Sequence, residues 1–512
     1  MSSTASRIIK NTGWLYAKMG ITMFISLYTT RLILQGLGAS DFGIYNIVGG
    51  AIAMLGFLNA SMASATQRFM NYTEGEGDKN KKVIIFNVSY VLHLAISIFV
   101  ALLLIVAGYF FFSGILNIPE DRLNAAYIVY MSLIVSTVFT VMSVPYDAVL
   151  NSHENMKYYS LVGIIESLLK LFIAFICILC STDKLIVYGI LMACIPIITR
   201  IIMRVYCHKK YDECIISIRK YYDKKIMKDM TAFAGWNFLT IASSMLSQYG
   251  MGIVLNHFFG TILNAAQGIA NQISGVLKTI SMNAMRAINP VLVKNEGAQN
   301  REKVHYIISI GSRIDYAIFV FFSIPLVFFA NEIITLWLDN VPQWAVLFCQ
   351  LQLIQTIFDK LSGNMHNAVY AQGNIKNYTI IKSIINIFPL IASCIAFTLG
   401  CPPYYIYIAW IIFFSIIGGG IIAYYCKKLV GIDLLIYFKQ VVLPCLRLTA
   451  IPVFAFIGIN YIDDGLINCI ISIVFFYTTY ALLFWYDLLF EKERILLINI
   501  LKNHLPGNKC SR

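Results

Sequence analysis

Residues 83–111 read VIIFNVSYVLHLAISIFVALLLIVAGYFF. Roughly 20 apolar residues cross the hydrocarbon of a bilayer as a helix, and this stretch exceeds that length without a single Asp, Glu, Lys or Arg. The pattern recurs on both sides of it. Toward the N-terminus lie stretches near 12–35 and 41–64, and after it come 124–147, 159–180 and 185–206. Beyond a charged segment follow 231–255, 263–289, 304–330, 344–370, 377–399 and 404–426, then a last pair at 440–460 and 465–489. The expected fold is therefore an all-α integral membrane protein of about fourteen transmembrane helices.

Composition agrees. Of 512 residues, 59% are hydrophobic and 13% charged, and the mean hydropathy is +0.72. So much apolar surface cannot be hidden in a soluble core, and a bilayer must supply the remaining burial. The stretch following Trp14 runs past the length of a signal-peptide core without a small-residue cleavage site, so it is expected to be a permanent first span. The 12 cysteines fall mostly in apolar runs. Cys177 and Cys180, one helical turn apart, read as reduced packing residues rather than a metal or disulfide site.

The net charge of +13 would suggest nucleic acid in a soluble protein. Here the basic residues occupy loops that alternate across the membrane, so no nucleic-acid partner is expected. Basic residues collect on the cytoplasmic side of membrane proteins. With the N-terminus placed inside, the loops assigned to the outside carry only Arg122 and Lys184. This topology puts both termini in the cytoplasm.

The chain also repeats itself. At a constant offset of 222 residues, Gly13-Trp14 meets Gly235-Trp236, Gly38 meets Gly260, Glu74-Gly75 meets Glu296-Gly297 and Lys81 meets Lys303. Further on, Asp147-Ala148-Val149 faces Asn367-Ala368-Val369, and Asn155-Met156-Lys157 faces Asn374-Ile375-Lys376, one small gap accounting for the change of register. An even number of spans per repeat gives parallel repeats related by an axis along the membrane normal, two six-helix lobes around a central cavity. The expected domains are an N-terminal lobe over 1–210, a cytoplasmic amphipathic linker over 211–230, a C-terminal lobe over 231–427, and an extra helix pair with a cytoplasmic tail over 428–512. In the linker, Ile215, Ile218, Tyr222 and Ile226 share one helical face against Arg219, Lys220, Lys224, Lys225 and Lys228, which describes an interfacial helix from Glu213 to Asp229.

Polar residues inside the spans mark where a substrate could pass. In the eighth span Asn264, Gln267, Asn271, Ser274, Lys278 and Ser281 recur at steps of three and four and form one stripe, a face that cannot comfortably meet lipid. In the seventh, Asn237, Thr240, Ser244 and Gln248 do the same, and the repeat maps the last three onto Lys18, Thr22 and Ser26 of the first. The second span adds Asn46, Gly49, Gly50, Asn59 and Ser61. Interhelical hydrogen bonding is the alternative role for the uncharged members. A cation deep in a bilayer costs about 2.5–3.5 kcal/mol on insertion scales, so Lys18, Lys278, Arg286, Arg313 and Lys360 should face water, a counter-ion or a ligand, whereas Arg31 and Arg286 lie near helix ends and could snorkel. His93, Glu166, Asp315 and Asp359 are the titratable groups that could carry a coupling proton or Na+. Asp315 is the repeat position of His93, and Glu166 lies four residues from Lys170, a spacing that favours a simple pair.

The chain has no Walker loop, HExxH or GxSxG motif and no soluble domain able to house catalysis, so a transporter without a cofactor is expected, driven by a gradient or by its substrate. Cavity cations favour an anionic substrate.

The basic N-terminus before Gly13-Trp14, the stretch LGASDFGIYN (residues 37–46) opening the second span, the two lobes and the appended helix pair resemble the polysaccharide-biosynthesis flippases. These form the Wzx-like (O-antigen/capsule) branch of the multidrug/oligosaccharidyl-lipid/polysaccharide (MOP) exporter superfamily. The resemblance implies flipping of an undecaprenyl-pyrophosphate-linked oligosaccharide across a bacterial plasma membrane by alternating access. Membrane lipids, a polysaccharide polymerase and chain-length machinery would be further partners. It also implies cationic residues on the first, second, seventh and eighth helices. Lys18 and Lys278 match, while the second and seventh spans here hold no buried cation. A cation-coupled multidrug exporter of the same fold is the alternative. A membrane polymerase or ligase would need a large outer loop bearing Arg or His, and the outer loops are short.

Overall fold

The computed structural model describes all residues except 1, 54–55, 116–117, 339–340, 461–465, 492, 496–497 and 499–512. Among the described residues every regular element is helical. A helix satisfies its own backbone hydrogen bonds, which hydrocarbon cannot do for it.

The helices are α1 (Ser2–Ala53), α2 (Gly56–Glu76), α3 (Lys79–Phe110), α4 (Leu123–Val141), α5 (Val144–Ser152), α6 (Met156–Leu179), α7 (Lys184–Lys210), α8 (Lys224–Phe259), α9 (Thr261–Gly297), α10 (Arg301–Phe328), α11 (Ala330–Trp337), α12 (Ala345–Lys360), α13 (Gly363–Gln372), α14 (Lys376–Thr398), α15 (Tyr405–Ala409), α16 (Gly418–Val430), α17 (Leu434–Tyr437), α18 (Leu443–Asn460) and α19 (Leu466–Leu483). A π-helical stretch, Trp410–Ile417, joins α15 to α16. Among the described residues, 10 helical segments are long and apolar enough to cross a membrane. Four expected spans are not among these ten: those near 12–35 and 263–289 are helical and carry polar residues such as Lys18 and Asn271, the one near 41–64 includes residues 54–55, which lie outside the described residues, and the one near 344–370 is broken by a turn at Leu361-Ser362 into α12 and α13.

Contacts divide the chain into two compact units. One comprises Asn11–Phe238 with Val293–Gln299, the other Met1–Lys10, Leu239–Leu292 and Asn300–Arg512. Within the first, α4 packs along α7, α2 lies against α3 and α5, and α6 against α7. Within the second, α10 packs on α12, α13 and α18, α13 on α16, and α18 on α19.

The repeat is visible in local geometry. Gly38 interrupts α1 with φ +78°, and its counterpart Gly260 separates α8 from α9 with φ +81°. Both turns need a left-handed residue, which glycine adopts without steric cost. The Asp78 carboxylate caps α3 by accepting from the Lys81 N–H at 3.0 Å, and the Asn300 side chain caps α10 by accepting from the Lys303 N–H at 3.2 Å. Gly77 and Gln299 just before them both have positive φ. In the unit that holds both residues, Gly75 packs on the backbone of Lys294 and Gly297 on that of Tyr72. The same offset relates Gly75 to Gly297 and Tyr72 to Lys294, so the contact is reciprocal, as across a twofold axis.

The linker differs from expectation. Residues 211–223 are turns and extended chain, and helix begins only at Lys224, where Asp223 accepts from the N–H groups of Lys225 and Ile226. The reason is a distant amide. Asn87 of α3 donates to the Ile215 carbonyl at 2.7 Å and accepts from the Ser217 N–H at 2.8 Å, satisfying the backbone that a helix would otherwise have paired. Glu213 turns inward to His153 at 2.5 Å, and Cys214 joins the core around Phe86, Tyr146 and Met203. Cys177 and Cys180 are both free thiols.

Candidate functional site

The second unit encloses a cavity of about 120 Å³. Helix α8 contributes Ser244, Gln248 and Met251, α9 Asn271 and Lys278, and α12 Gln352, Gln355 and Asp359. Tyr407, Trp410 and Phe414 close it from α15 and the π-helical stretch. The steps of three and four along α8, α9 and α12 aim these side chains the same way.

The polar groups are held by one another. Gln352 donates through Nε2 to Asn271 Oδ1 at 2.8 Å. The Asp359 carboxylate accepts from Gln355 Nε2 and from Ser415 Oγ, each at 2.6 Å, and Gln355 also donates to Ser415 at 3.0 Å. Asp359 is the acidic neighbour common to Lys278 and Lys382. The Lys382 ammonium donates to the Phe414 carbonyl at 3.2 Å and lies 4.5 Å from the Phe414 ring centroid. Trp410 and Phe414 stack with centroids 5.1 Å apart and planes within 9°. A π-helix winds with i→i+5 hydrogen bonds, wider than an α-helix, and is found frequently at functional sites. Here that widening carries the aromatic pair and the Ser415 hydroxyl that meets Asp359.

Ser244, Gln248, Asn271, Lys278 and Asp359, named from the sequence, thus meet in one cavity. Others lie elsewhere. Asn264 lines a separate, wider recess of about 510 Å³ with Tyr249, Asn256 and His257. Gln267 is buried, and Arg286 is exposed. Thr240 offers its carbonyl to the hydroxyls of Ser243 and Ser244, both at 2.9 Å, and those hydroxyls also meet Asn386. In the first unit, Lys18 sets its ammonium 4.3 Å from the ring centroid of Tyr159, against Gly163. Thr22 donates to the Met19 carbonyl at 3.2 Å, Ser26 is exposed, and the Asn46 side chain lies outside the described residues.

The remaining titratable candidates are paired or isolated. Asp315 accepts from Lys360 at 3.1 Å and from the Ser281 hydroxyl, so two of the proposed intramembrane charges pair with each other. Arg313 pairs with Glu493 at 2.7 Å, tying α10 to the segment after α19. Glu166 and Lys170 pair at 2.7 Å on the surface of α6. His93 is fully buried, and its Nδ1 meets the Ser89 carbonyl at 2.8 Å.

Sequence reasoning did not single out Gln352, Gln355, Lys382, Tyr407, Trp410 or Phe414. Gln352, Gln355 and Asp359 repeat the stepping of three and four that marks α9, so the signal was present. The aromatic members had none, since aromatic residues are plentiful in most of the spans.

The family described as "Polysaccharide biosynthesis protein" matches residues 8–296. No curated protein matches the sequence. Among solved structures, the chain is similar to a MATE transporter in the bent conformation, with a TM-score of 0.71 and 15% identity over 83% of this chain and 95% of that one. A MOP-superfamily transporter from Pyrococcus furiosus, described as having a binding pocket of reverse polarity, gives 0.69 and 15% over 83% and 95%. A multidrug-resistance MATE-family transporter in an outward-facing conformation gives 0.68 and 14% over 83% and 95%. At such identities the likeness is one of fold.

Proposed function

The chain belongs to the polysaccharide biosynthesis protein family and has the fold of MOP-superfamily transporters, and from this premise we propose that it flips a lipid-linked oligosaccharide across a bacterial plasma membrane. The substrate is an oligosaccharide on an isoprenoid diphosphate such as undecaprenyl pyrophosphate, moved from the cytoplasmic to the outer leaflet by alternating access. Both termini lie in the cytoplasm. The protein acts as a transporter rather than an enzyme, without a cofactor, and serves a polymerase and chain-length machinery.

The observation that carries this reading is the polar cavity within an apolar helical unit. Burying Asn271, Gln352, Gln355, Asp359 and Lys278 together is costly in a membrane protein and marks a route for a hydrophilic cargo. The cavity also qualifies the expectation for Lys278. Asp359 beside it offsets its charge, so capture of a diphosphate at Lys278 would compete with that carboxylate. Asp359 and Asp315, each held by neutral donors or a lysine, are the groups through which a proton or Na+ gradient would couple.

Deleting the gene should make the lipid-linked oligosaccharide accumulate inside the cell and remove surface polysaccharide, with restoration by the intact chain. A normal surface glycan in the deletion strain, together with lost drug efflux, would instead establish the multidrug exporter reading that the MATE fold allows.

A further inference from the structure

We propose that the cavity between α8, α9, α12 and the π-helical stretch is a saccharide subsite that takes one uncharged pyranose ring of the cargo. This rests on the proposed handling of a sugar-bearing lipid and assigns the part of that substrate the cavity holds.

Three polar atoms in the lining have no hydrogen-bond partner among the described residues: Gln352 Oε1, the Tyr407 hydroxyl and Trp410 Nε1. Gln352 is 8% exposed and Tyr407 2%. An orphaned buried polar group is costly, so three in one cavity call for an occupant. Their roles are complementary. Gln352 is oriented by its bond to Asn271, which leaves its carbonyl to accept. Trp410 can only donate, and Tyr407 can do either. A sugar's vicinal hydroxyls donate and accept in the same way.

A diphosphate fits this set poorly. It only accepts, so the Gln352 carbonyl and the Asp359 carboxylate would repel it, and the one lysine in the lining is offset by Asp359. An organic cation fits no better, since the lining holds one positive and one negative side chain. The stacked Trp410–Phe414 pair supplies a flat apolar wall of the kind against which the C–H face of a pyranose packs.

Size sets a limit: at about 120 Å³ the cavity admits no more than a single ring, and an oligosaccharide does not fit.

Saturation-transfer NMR on the full chain in nanodiscs free of sugar detergents tests this. The probes are glucose, galactose, mannose, N-acetylglucosamine, N-acetylgalactosamine and, separately, inorganic pyrophosphate. At least one sugar should show transfer, strongest at its ring C–H protons, and pyrophosphate should not displace it. Gln352→Leu should weaken sugar binding roughly tenfold, the factor equivalent to about 1.4 kcal/mol, and because it also removes the bond to Asn271 its melting curve is recorded to show that the variant is folded. Trp410→Phe should keep part of the transfer and Trp410→Ala lose it. No transfer from any sugar would mean a cavity filled by water only and would overturn the proposal. So would transfer unchanged in all three variants, or displacement by pyrophosphate. Sugar binding without glycan accumulation in the deletion strain would refute the flippase reading alone, and accumulation without sugar binding would refute this subsite alone.

Discussion

The reciprocal contact of Gly75 and Gly297 allows a sharp test of the repeat. A Cβ added at Gly297 would sit 2.8 Å from the Tyr72 carbonyl carbon and nearer still to its oxygen, and one at Gly75 would sit 2.7 Å from the Lys294 carbonyl carbon. Ordinary contact begins at 3.4 Å, so the two backbones must separate by at least about 0.6 Å at Gly297. Backbone atoms cannot rotate away as a side chain does, which places Gly297→Ala at or above the upper end of the ~1–3 kcal/mol typical of overpacking. Alanine in a helix is otherwise favoured over glycine by about 0.5–1 kcal/mol. Gly13→Ala and Gly235→Ala, with nothing within 4 Å of their added Cβ, should therefore be neutral or stabilising. For a unit of about this size, 1 kcal/mol corresponds to roughly 2–4 °C. Intrinsic-fluorescence melting in nanodiscs should show Gly75→Ala and Gly297→Ala each lowered by about 5 °C or more relative to the two control substitutions. If all four variants melt alike, the close reciprocal crossing does not exist.

Three further outcomes follow from particular contacts. Glu493→Ala leaves the buried Arg313 guanidinium without its carboxylate and should cost about 3–5 kcal/mol, read as a lower melting temperature, with Arg313→Met plus Glu493→Leu recovering much of the loss. Asn87→Leu removes both bonds that hold the linker at Ile215 and Ser217, so it should destabilise by about 1–3 kcal/mol and raise amide hydrogen exchange at 213–219 in mass spectrometry. Stability should also fall in acid. Burial opposes ionisation of Glu213, yet its hydrogen bonds to His153 and to its own backbone N–H, with the nearby His153 and Lys82, together outweigh this and hold its carboxyl below the ordinary 4.5. Burial likewise opposes ionisation of Glu74, and Lys82, His153 and Lys294 outweigh it in the same direction. A depressed carboxylate stabilises the fold above its unfolded value and ceases to do so as pH falls through its folded value. Melting temperatures should therefore drop below about pH 4.5, and Glu213→Gln should melt lower at neutral pH with a shallower acid decline; an unchanged profile would contradict the pairing.

Much of the fold was legible because it rests on short-range rules. Span length follows from apolar runs, and the duplication surfaced in Gly38 and Gly260, whose shared positive φ is a backbone requirement that sequence preserves. The linker was not legible: its apolar period suggested a helix, while the deciding partner, Asn87, lies far away in the chain. The site shows the same division. Alternating steps of three and four brought Ser244, Gln248, Asn271 and Lys278 onto one polar surface. Periodicity reports which face is polar, not which polar groups pair. So the engagement of Lys360 with Asp315, of Lys18 with Tyr159, and of Asp359 with both Lys278 and Lys382 emerged only from tertiary packing.

The most direct measurement is leaflet transfer by the purified chain in proteoliposomes. Isoprenoid-diphosphate-linked oligosaccharide from the host strain, loaded symmetrically, is oxidised or cleaved from outside by an impermeant reagent. With the intact protein nearly all of it should become accessible, against about half in protein-free vesicles, and Asp359→Ala should slow the second half. Protection of half the lipid-linked sugar in the presence of folded protein would contradict the flippase.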